Sequence, residues 1–149
     1  MERAVELCRY RAEQAQVRLE LAVPDDPMVV VFDESAMTLL VLNLVENALK
    51  YAAEPGSAIR VLLVRQAEQV RLRVVDAGPG LTAEEQRRVF ERFYRGERAR
   101  QGPQRGSGIG LSLVKHIAQA HGGRASVQSE LGKGATFEVS LPAAGEEPC

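Results

Sequence analysis

The sequence has few of the residues and patterns that mark several protein classes. Its 149 residues include no tryptophan, 5% aromatic residues and two cysteines, Cys8 and Cys149. The cysteines lie near opposite ends and form neither a CxxC pair nor a disulfide framework, so a reducing, cytoplasmic setting is the simplest interpretation. No apolar run approaches the roughly 20 residues of a membrane helix, and the N-terminus lacks the apolar core of a signal peptide.

The chain also lacks an excess of either charge. Its 19 basic and 20 acidic residues give a formal net charge of -1, which provides no overall attraction to nucleic acid or to an anionic membrane. One stretch is different, because seven arginines and two glutamates lie between Arg87 and Arg105. That stretch is either an anion-facing element or a solvated loop, and its lack of aromatic platforms beyond Tyr94 does not favour nucleic acid.

Hydrophobic residues make up 45% of the chain, enough for one globular domain with a buried core. We expect this domain over residues 1–142 and a flexible tail over 143–149. Periodicity and capping signals predict helices over 2–16, 35–53, 83–90 and 109–121. They predict strands over 17–22, 28–32, 59–65, 70–75, 125–129 and 136–141. Because the order is not strictly βαβ, the fold class is α+β: a two-layer sandwich with a mixed, mostly antiparallel sheet covered on one face by helices.

A polar stripe runs along the second predicted helix, which is otherwise apolar. Asn43, Glu46, Asn47 and Lys50 follow the spacing i, i+3, i+4, i+7, so at about 100° per residue they share one face. A solvated surface is one interpretation, although such surfaces usually carry Glu, Lys, Gln and Arg. The other is a cation site, because Mg²⁺ accepts amide and carboxylate oxygens as ligands. The helix alone leaves both interpretations open.

Two glycine-rich segments suggest contact with a nucleotide. The segment Asp-Ala-Gly-Pro-Gly at 76–80 directly follows a predicted strand. It is either a plain turn or a place where the Asp76 carboxylate accepts a hydrogen bond from an exocyclic amine such as that of adenine. The segment Gly-Ser-Gly-Ile-Gly-Leu at 106–111 leads from a loop into a helix, whose free N–H groups favour phosphate. Its spacing matches neither a dinucleotide-binding fingerprint nor a P-loop.

Taken in order, five segments resemble the motifs of the ATP-binding catalytic domain of bacterial sensor histidine kinases. The family also includes DNA gyrase, mismatch-repair ATPases and heat-shock chaperones, and its domain has the Bergerat fold. The similar segments are 43–51 (the N box), 76–80 (first glycine box), 90–95 (the F box at the base of the ATP lid), 106–110 (second glycine box) and 132–136 (the final Gly-x-Gly-x-Thr). The resemblance extends from about Glu6 to Pro142 and implies ATP and Mg²⁺ as cofactors.

Within the N box, the resemblance implies a role for each polar residue. Asn47 is expected to hold Mg²⁺, with Asn43 as a second metal and nucleotide contact, while Lys50 meets phosphate and Tyr51 lies along the adenine. Asn43, Glu46 and Lys50 are the candidate catalytic residues. Hydrolytic relatives carry a glutamate at the position of Asn43, where it activates water, so the resemblance favours transfer to a histidine over hydrolysis. A rescue role for Glu46 stays open.

The other motifs imply the rest of the nucleotide site. Asp76 is expected to accept the adenine amine. The further nucleotide-binding positions are Gly78, Gly80, Gly106, Gly108, Gly110, Leu111 and Thr136. Phe90 and Phe93 are expected to be core residues that anchor the lid, which would occupy the apolar-poor stretch 94–108.

The acceptor histidine is expected outside this chain. His116 and His121 are the only histidines, and neither lies in a phosphoacceptor-like helix sequence, so both are interpreted as structural or solvated. The resemblance implies a dimerisation and phosphoacceptor domain as partner, a response regulator as indirect partner, a monomeric catalytic domain and a homodimeric parent. It also implies a cytoplasmic domain without nucleic-acid or membrane contact, compatible with a parent anchored in the inner membrane. The alternatives are a gyrase-type ATPase, an anti-sigma serine kinase and a non-catalytic nucleotide-binding module.

Overall fold

The computed structural model describes residues 2–25, 29–51, 54–94 and 110–144, without the side chains of Glu2 and Tyr51. The helices within these residues are α1 (Glu2–Gln14), α2 (Glu34–Tyr51), α3 (Ala83–Arg88) and α4 (Gly110–Ala120). The strands are β1 (Arg18–Ala22), β2 (Ala58–Gln66), β3 (Gln69–Asp76), β4 (Arg124–Ser129) and β5 (Ala135–Pro142). Each helix, and every strand but the one predicted at 28–32, lies close to its predicted position.

The five strands form one mixed sheet in the order β1-β2-β3-β5-β4. β1 pairs with β2 in parallel, and the other neighbouring pairs are antiparallel. Along β3 the residues Val70, Leu72, Val74 and Asp76 are buried, whereas Arg71 between them is not. This alternation means that one face of the sheet is covered while the other carries charge. The predicted α+β sandwich with a mostly antiparallel sheet is therefore confirmed.

Local signals in the sequence explain where the helices begin and end. The Asp33 carboxylate accepts a hydrogen bond from the Ala36 N–H at 2.9 Å and caps α2. Thr82 and Glu85 form a reciprocal capping box at the start of α3. At the end of α4, Gly122 adopts a φ of 76°, which lets the Gly123 N–H reach the Ala118 carbonyl at 2.8 Å.

The core lies between the sheet and helices α1, α2 and α4. Its helical part consists of Ala4, Val5, Cys8, Ala12, Leu40, Val41, Leu44, Val45, Ala48, Val114, Ile117 and Ala118. Burial, followed by the nearby Glu46 carboxylate, raises the pKa of the Cys8 thiol to about 11. The thiol is therefore protonated at neutral pH and acts as a small apolar core group. Within the part of the chain that the structure describes, no helix is both long and apolar enough to cross a membrane.

The strand predicted over 28–32 is wrong. Residues 29–32 form no strand, and Val29 and Val31 are 66% and 83% exposed. The segment instead carries the chain from the edge strand β1 to the far end of α4, where the Phe32 ring stacks on His121 at 3.8 Å. The segment therefore lies outside the sheet, although its valines favour strands.

The C-terminal tail was expected to be flexible from residue 143. The N–H groups of its first two residues, Ala143 and Ala144, donate to the carbonyls of Glu68 and Val29, each at 2.8 Å. The two bonds hold the end of β5 to the β2–β3 turn and to the connection before α2. Residues 145–149, including Cys149, lie outside the described residues.

Candidate functional site

Asp76 is the last residue of β3, and its side chain is 7% exposed. The carboxylate oxygen Oδ1 accepts hydrogen bonds from the N–H groups of Gly78 at 2.9 Å and Ala135 at 3.2 Å. Both bonds end on Oδ1, which leaves Oδ2 without a donor among the described residues. Burial raises the pKa of Asp76, and the two backbone donors partly oppose that increase. The site thus presents a largely buried carboxylate with one oxygen that is free to accept a hydrogen bond.

Two glycines allow the loops around Asp76 to approach one another closely. Gly134 has a φ of +83°, and a Cβ placed on it would collide with the backbone carbonyl of Asp76. Gly80 has a φ of +76°, and a Cβ placed on it would collide with the carbonyl of Glu130. Both positions therefore require glycine for backbone conformation and for space. The loop after β3 and the β4–β5 turn consequently form one compact unit.

Hydrogen bonds join the same two loops. The Gly132 N–H donates to the Pro79 carbonyl at 2.8 Å, and the Leu81 N–H donates to Ser129 Oγ at 2.8 Å. The Ser129 hydroxyl donates in turn to the Gly134 carbonyl at 2.7 Å. Sequence reasoning missed Ser129 and its partner Gln86. The only signal for Ser129 was a hydroxyl at the end of a strand just before the Gly-x-Gly turn.

The polar stripe of α2 faces different neighbours along its two edges. Glu46 Oε1 lies 2.7 Å from Arg11 Nη1 on α1. Asn43 Nδ2 donates to the Leu39 carbonyl at 2.8 Å, and its Oδ1 lies 2.9 Å from the place of a Cβ on Gly110. The predicted common polar face is therefore divided, since Glu46 is turned to α1 and Asn43 to the start of α4.

The remaining N-box residues keep their polar groups uncommitted. Asn47 is half-buried, and its amide makes no hydrogen bond with other described residues. Lys50 is exposed in the last turn of α2 and likewise has no ion-pair partner within the described residues. The side chain of Tyr51 lies outside the described part of the chain.

The contact between Asn43 and Gly110 brings the stripe to the beginning of α4. Gly110 is the first residue of that helix, and the half-buried Leu111 packs against the core behind it. Amide groups at a helix start attract anions. Gly106 and Gly108, together with Arg95, Arg98, Arg100 and Arg105, lie outside the described residues, so the phosphate site predicted there is represented only by the first turn of α4.

The structure separates the two phenylalanines of the F box. Phe90 packs edge-on against Phe137 of the core, with 6.2 Å between ring centroids, as predicted for an anchor. Phe93 is 62% exposed, has a φ of 64° and lies beneath the Arg92 guanidinium at 4.9 Å. The prediction of Phe93 as a core residue is therefore wrong. Its backbone conformation, which is uncommon for a bulky residue, turns the ring outward.

Thr136 and Asp76 occupy different positions in the register of β3 and β5. Thr136 lies opposite Val75 in the ladder, whereas Asp76 lies opposite Ala135. Because successive side chains point to opposite faces, Thr136 lies on the face of the sheet away from Asp76 and the helices. The group of this segment that reaches Asp76 is the N–H of Ala135.

The two histidines differ in their surroundings. His116 is exposed on α4. His121 stacks on Phe32, its Nδ1 lies 2.8 Å from the Ile117 carbonyl, and the Asp33 N–H points to its Nε2 at 3.4 Å. The prediction that His121 is structural is confirmed.

The donor groups limit how a metal ion could bind. Within the described residues, no group of three or more His, Cys, Asp or Glu side chains could hold a metal ion. A Mg²⁺ ion at this site would therefore need an amide oxygen together with phosphate and water oxygens, a set that suits this hard cation. The amide oxygens of Asn47 and Asn43 both fit that requirement, because the hydrogen bond of Asn43 to Leu39 uses its NH₂ group and leaves Oδ1 without a donor among the described residues.

The site combines a largely buried carboxylate at the end of a strand, a helix with two asparagines and a helix that begins with glycine. This combination can be compared with known proteins. Residues 32–145 match the model of the family described as histidine kinase-, DNA gyrase B- and HSP90-like ATPase. The chain belongs to this family. Within it, the chain is 36% identical over 140 residues to the sensor-like histidine kinase SenX3 of Mycobacterium bovis. It is 37% identical over 132 residues to the adaptive-response sensory kinase SasA of a Synechococcus species.

Solved histidine kinase structures share the fold over almost the whole chain. The mycobacterial sensor histidine kinase MprB superposes with a TM-score of 0.82 at 31% identity, covering 98% of this chain and 97% of that chain. Full-length ShkA, solved in complex with AMPPNP, superposes with a TM-score of 0.84 at 28% identity, covering 97% of this chain and 29% of that chain. The matches to SenX3 and SasA cover 94% and 89% of this chain but 34% of each relative. The chain thus spans about a third of the length of these kinases and has the fold of their catalytic domains.

Proposed function

We propose that this chain is the ATP-binding catalytic domain of a sensor histidine kinase, which presents Mg-ATP for transfer of the γ-phosphoryl group to a histidine of a separate domain. The observation that carries the proposal is the Asp76 carboxylate. Its Oδ1 is held by the Gly78 and Ala135 amides, and its Oδ2 has no donor among the described residues. An adenine amine supplies the missing donor. A buried acceptor of this kind rejects ligands that cannot donate to it.

The residues of α2 and α4 account for the phosphate end of the nucleotide. The amide oxygen of Asn47 would be a ligand of Mg²⁺, and the exposed Lys50 ammonium would pair with phosphate oxygens. The first turn of α4 begins beside Asn43, one turn before Asn47 in α2, and its free N–H groups would bind phosphate oxygens there. Mg²⁺, when bound, supplies neutralisation of triphosphate charge. The chain's own residues orient the donor for in-line attack.

Two features support transfer to a histidine over hydrolysis. The position at which hydrolytic relatives carry a water-activating glutamate is Asn43, and its amide is bonded within α2. The neighbouring carboxylate of Glu46 is engaged by Arg11 on the opposite edge of the stripe. General-base assistance contributes about 10²- to 10⁴-fold in rate, so a site without it is a poor hydrolase. We therefore assign no catalytic step to Glu46.

The proposal extends to partners that this chain does not contain. SenX3 and SasA are named as sensory kinases, and the chain covers about a third of each. We infer a parent homodimer that supplies the dimerisation and phosphoacceptor domain, and a response regulator that receives the phosphoryl group from it. The AMPPNP in the ShkA structure supports an ATP analogue as a probe for this chain.

Calorimetric titration of the 149-residue chain with ADP and AMPPNP, with and without Mg²⁺, tests the binding part. Wild type is expected to bind both nucleotides, with a Mg²⁺ dependence that Asn47→Ala removes. Ser35→Ala, at the exposed start of the same helix, is the matched control and should behave as wild type. A Mg²⁺ dependence that survives in Asn47→Ala would refute the metal ligand. An absence of nucleotide binding would refute the function.

A further inference from the structure

The side chain of Gln86 joins three segments around the adenine-side loops. Its Nε2 donates to the carbonyls of Leu81 at 3.1 Å and Ser129 at 3.0 Å. Its Oε1 accepts from the Ser129 N–H at 3.2 Å. One amide thus links α3, the loop that follows Asp76 and the end of β4.

The hydroxyl of Ser129 continues the same network. Ser129 Oγ accepts from the Leu81 N–H at 2.8 Å and donates to the Gly134 carbonyl at 2.7 Å. Gly134 in turn lies directly against the Asp76 carbonyl, and the next residue, Ala135, donates to Asp76 Oδ1. A chain of five side-chain hydrogen bonds therefore ends at the groups that hold the Asp76 carboxylate.

The network also joins α3 to the rest of the domain. This helix has six residues, Ala83–Arg88, and none of them is buried. A helix so short is not stable by itself, and apolar packing of its own residues cannot hold it. Within the described residues, the Gln86 bonds join α3 to the end of β4, while the flanking residues Leu81, Val89 and Phe90 pack against the core.

We propose that Gln86 and Ser129 are positioning residues for base selection, which hold the loop of Gly78 and the amide of Ala135 so that Asp76 Oδ2 faces the exocyclic group of the purine. The inference rests on the proposed function, because it assumes that Asp76 accepts the adenine amine. Neither side chain touches the nucleotide. They act by keeping the two amides that orient Asp76 at a fixed separation, and loss of either side chain loosens that orientation.

The ratio of the ATP and GTP affinities distinguishes a positioning role of Gln86 and Ser129 from a general contribution to stability. ATP presents an amine to Asp76 where GTP presents a carbonyl oxygen, so a well-placed Asp76 attracts the first and repels the second. A loosened Asp76 weakens ATP binding and relieves the penalty on GTP. A merely structural defect weakens both nucleotides alike and leaves the affinity ratio unchanged.

The test measures ATP and GTP affinities of the 149-residue chain for wild type, Ser129→Ala, Gln86→Ala and Ser129→Thr, with thermal unfolding of each. Wild type is expected to prefer ATP strongly. Ser129→Ala removes two side-chain hydrogen bonds and Gln86→Ala removes three, and each is expected to lower the ATP-to-GTP affinity ratio about tenfold. Ser129→Thr keeps the hydroxyl and should retain the wild-type ratio. Ser126→Ala, the same change on the same strand, is the control.

Each outcome bears on a definite claim. A ratio that stays at the wild-type value in Gln86→Ala and Ser129→Ala refutes the positioning role while leaving the proposed function intact. If Ser129→Ala does not fold, Gln86→Ala decides, because its side chain lies on a helix outside the core. Binding of ATP and GTP with equal affinity by wild type refutes adenine reading by Asp76 and this inference with it. No binding of either nucleotide by wild type refutes the proposed function.

Discussion

Asn43 Oδ1 lies 2.9 Å from the point at which a Cβ would stand on Gly110. Helices α2 and α4 are therefore in close contact at the Asn43 amide, where α4 has a glycine. The same amide donates to the Leu39 carbonyl one turn earlier in α2. The contact explains why the position is a glycine although it lies in a helix, where alanine is favoured.

The contact predicts that Gly110→Ala changes the free energy of unfolding in opposite directions with and without the Asn43 side chain. Gly110→Ala in wild type should destabilise the fold by about 1 kcal/mol, because Asn43 must turn away and lose its bond to Leu39. In an Asn43→Ala background the Cβ has room, and the higher helix propensity of alanine should stabilise the fold by up to about 1 kcal/mol. Urea unfolding of the four proteins measures the coupling. Gly132→Ala, in open space, should give equal effects in both backgrounds, and equal effects of Gly110→Ala would refute the contact.

Asp76→Asn should separate binding from stability. Asparagine can keep the Oδ1 bonds to Gly78 and Ala135, but its amide NH₂ then replaces the acceptor at Oδ2. ATP affinity should fall at least tenfold, because the acceptor oxygen is replaced by an NH₂ donor that faces the NH₂ donor of adenine. The unliganded protein should unfold at the same or a higher temperature, because the cost of burying a charge disappears. Calorimetry and thermal unfolding check both parts, and a large loss of stability with unchanged affinity would contradict them.

The raised pKa of Asp76 predicts how binding depends on pH. Burial favours the protonated carboxyl, so Asp76 takes up a proton at a higher pH than its ordinary value of 3.8. The folded state binds that proton more tightly than the unfolded state. Above its folded pKa the ionised Asp76 therefore destabilises the nucleotide-free protein. This destabilisation is lost as the pH falls through the folded pKa toward 3.8. The protonated carboxyl cannot accept the adenine amine at the same oxygen. ATP affinity should therefore fall on acidification through this window in wild type and stay flat in Asp76→Asn.

Gly134→Ala and Gly132→Ala form a matched pair for the packing of the loops. Both glycines have a positive φ, of +83° and +81°, so both substitutions carry the left-handed backbone penalty of about 1–2 kcal/mol. Only Gly134 faces backbone, that of Asp76, and its substitution should cost about 1–3 kcal/mol more. Denaturant unfolding gives the difference, and equal costs would show that the loops can separate freely.

Much of the fold could be predicted because its signals are local. The alternation along β3, the capping box of Thr82 and the Gly122 C-cap each depend on residues close in sequence, and the elements to which they belong lie close to their predicted positions. The segment 28–32 has the same β-branched residues as a true strand, but its last residue, Phe32, packs on His121 and not in the sheet. That is tertiary information, which composition does not contain.

The candidate site shows the same limit. Asp76 could be chosen as a candidate from the sequence because it directly follows a predicted strand. The ion pair of Glu46 with Arg11 depends on how α1 packs against α2, which no local pattern reveals. Thr136 was matched by counting residues from the last glycine, but side-chain direction in a strand changes with each residue. The hydrogen bonds of Gln86 could not be predicted from the sequence, because its partners lie five and 43 residues away.

The most direct test of the central claim is incubation of the 149-residue chain with γ-labelled ATP, Mg²⁺ and the separately purified dimerisation and phosphoacceptor domain of its parent kinase. We expect label on that partner that is acid-labile and base-stable, as phosphohistidine is, and Asp76→Asn should remove it. Release of inorganic phosphate without labelling of the partner would contradict the account and favour an ATPase. Acid-stable label on a serine would also contradict it.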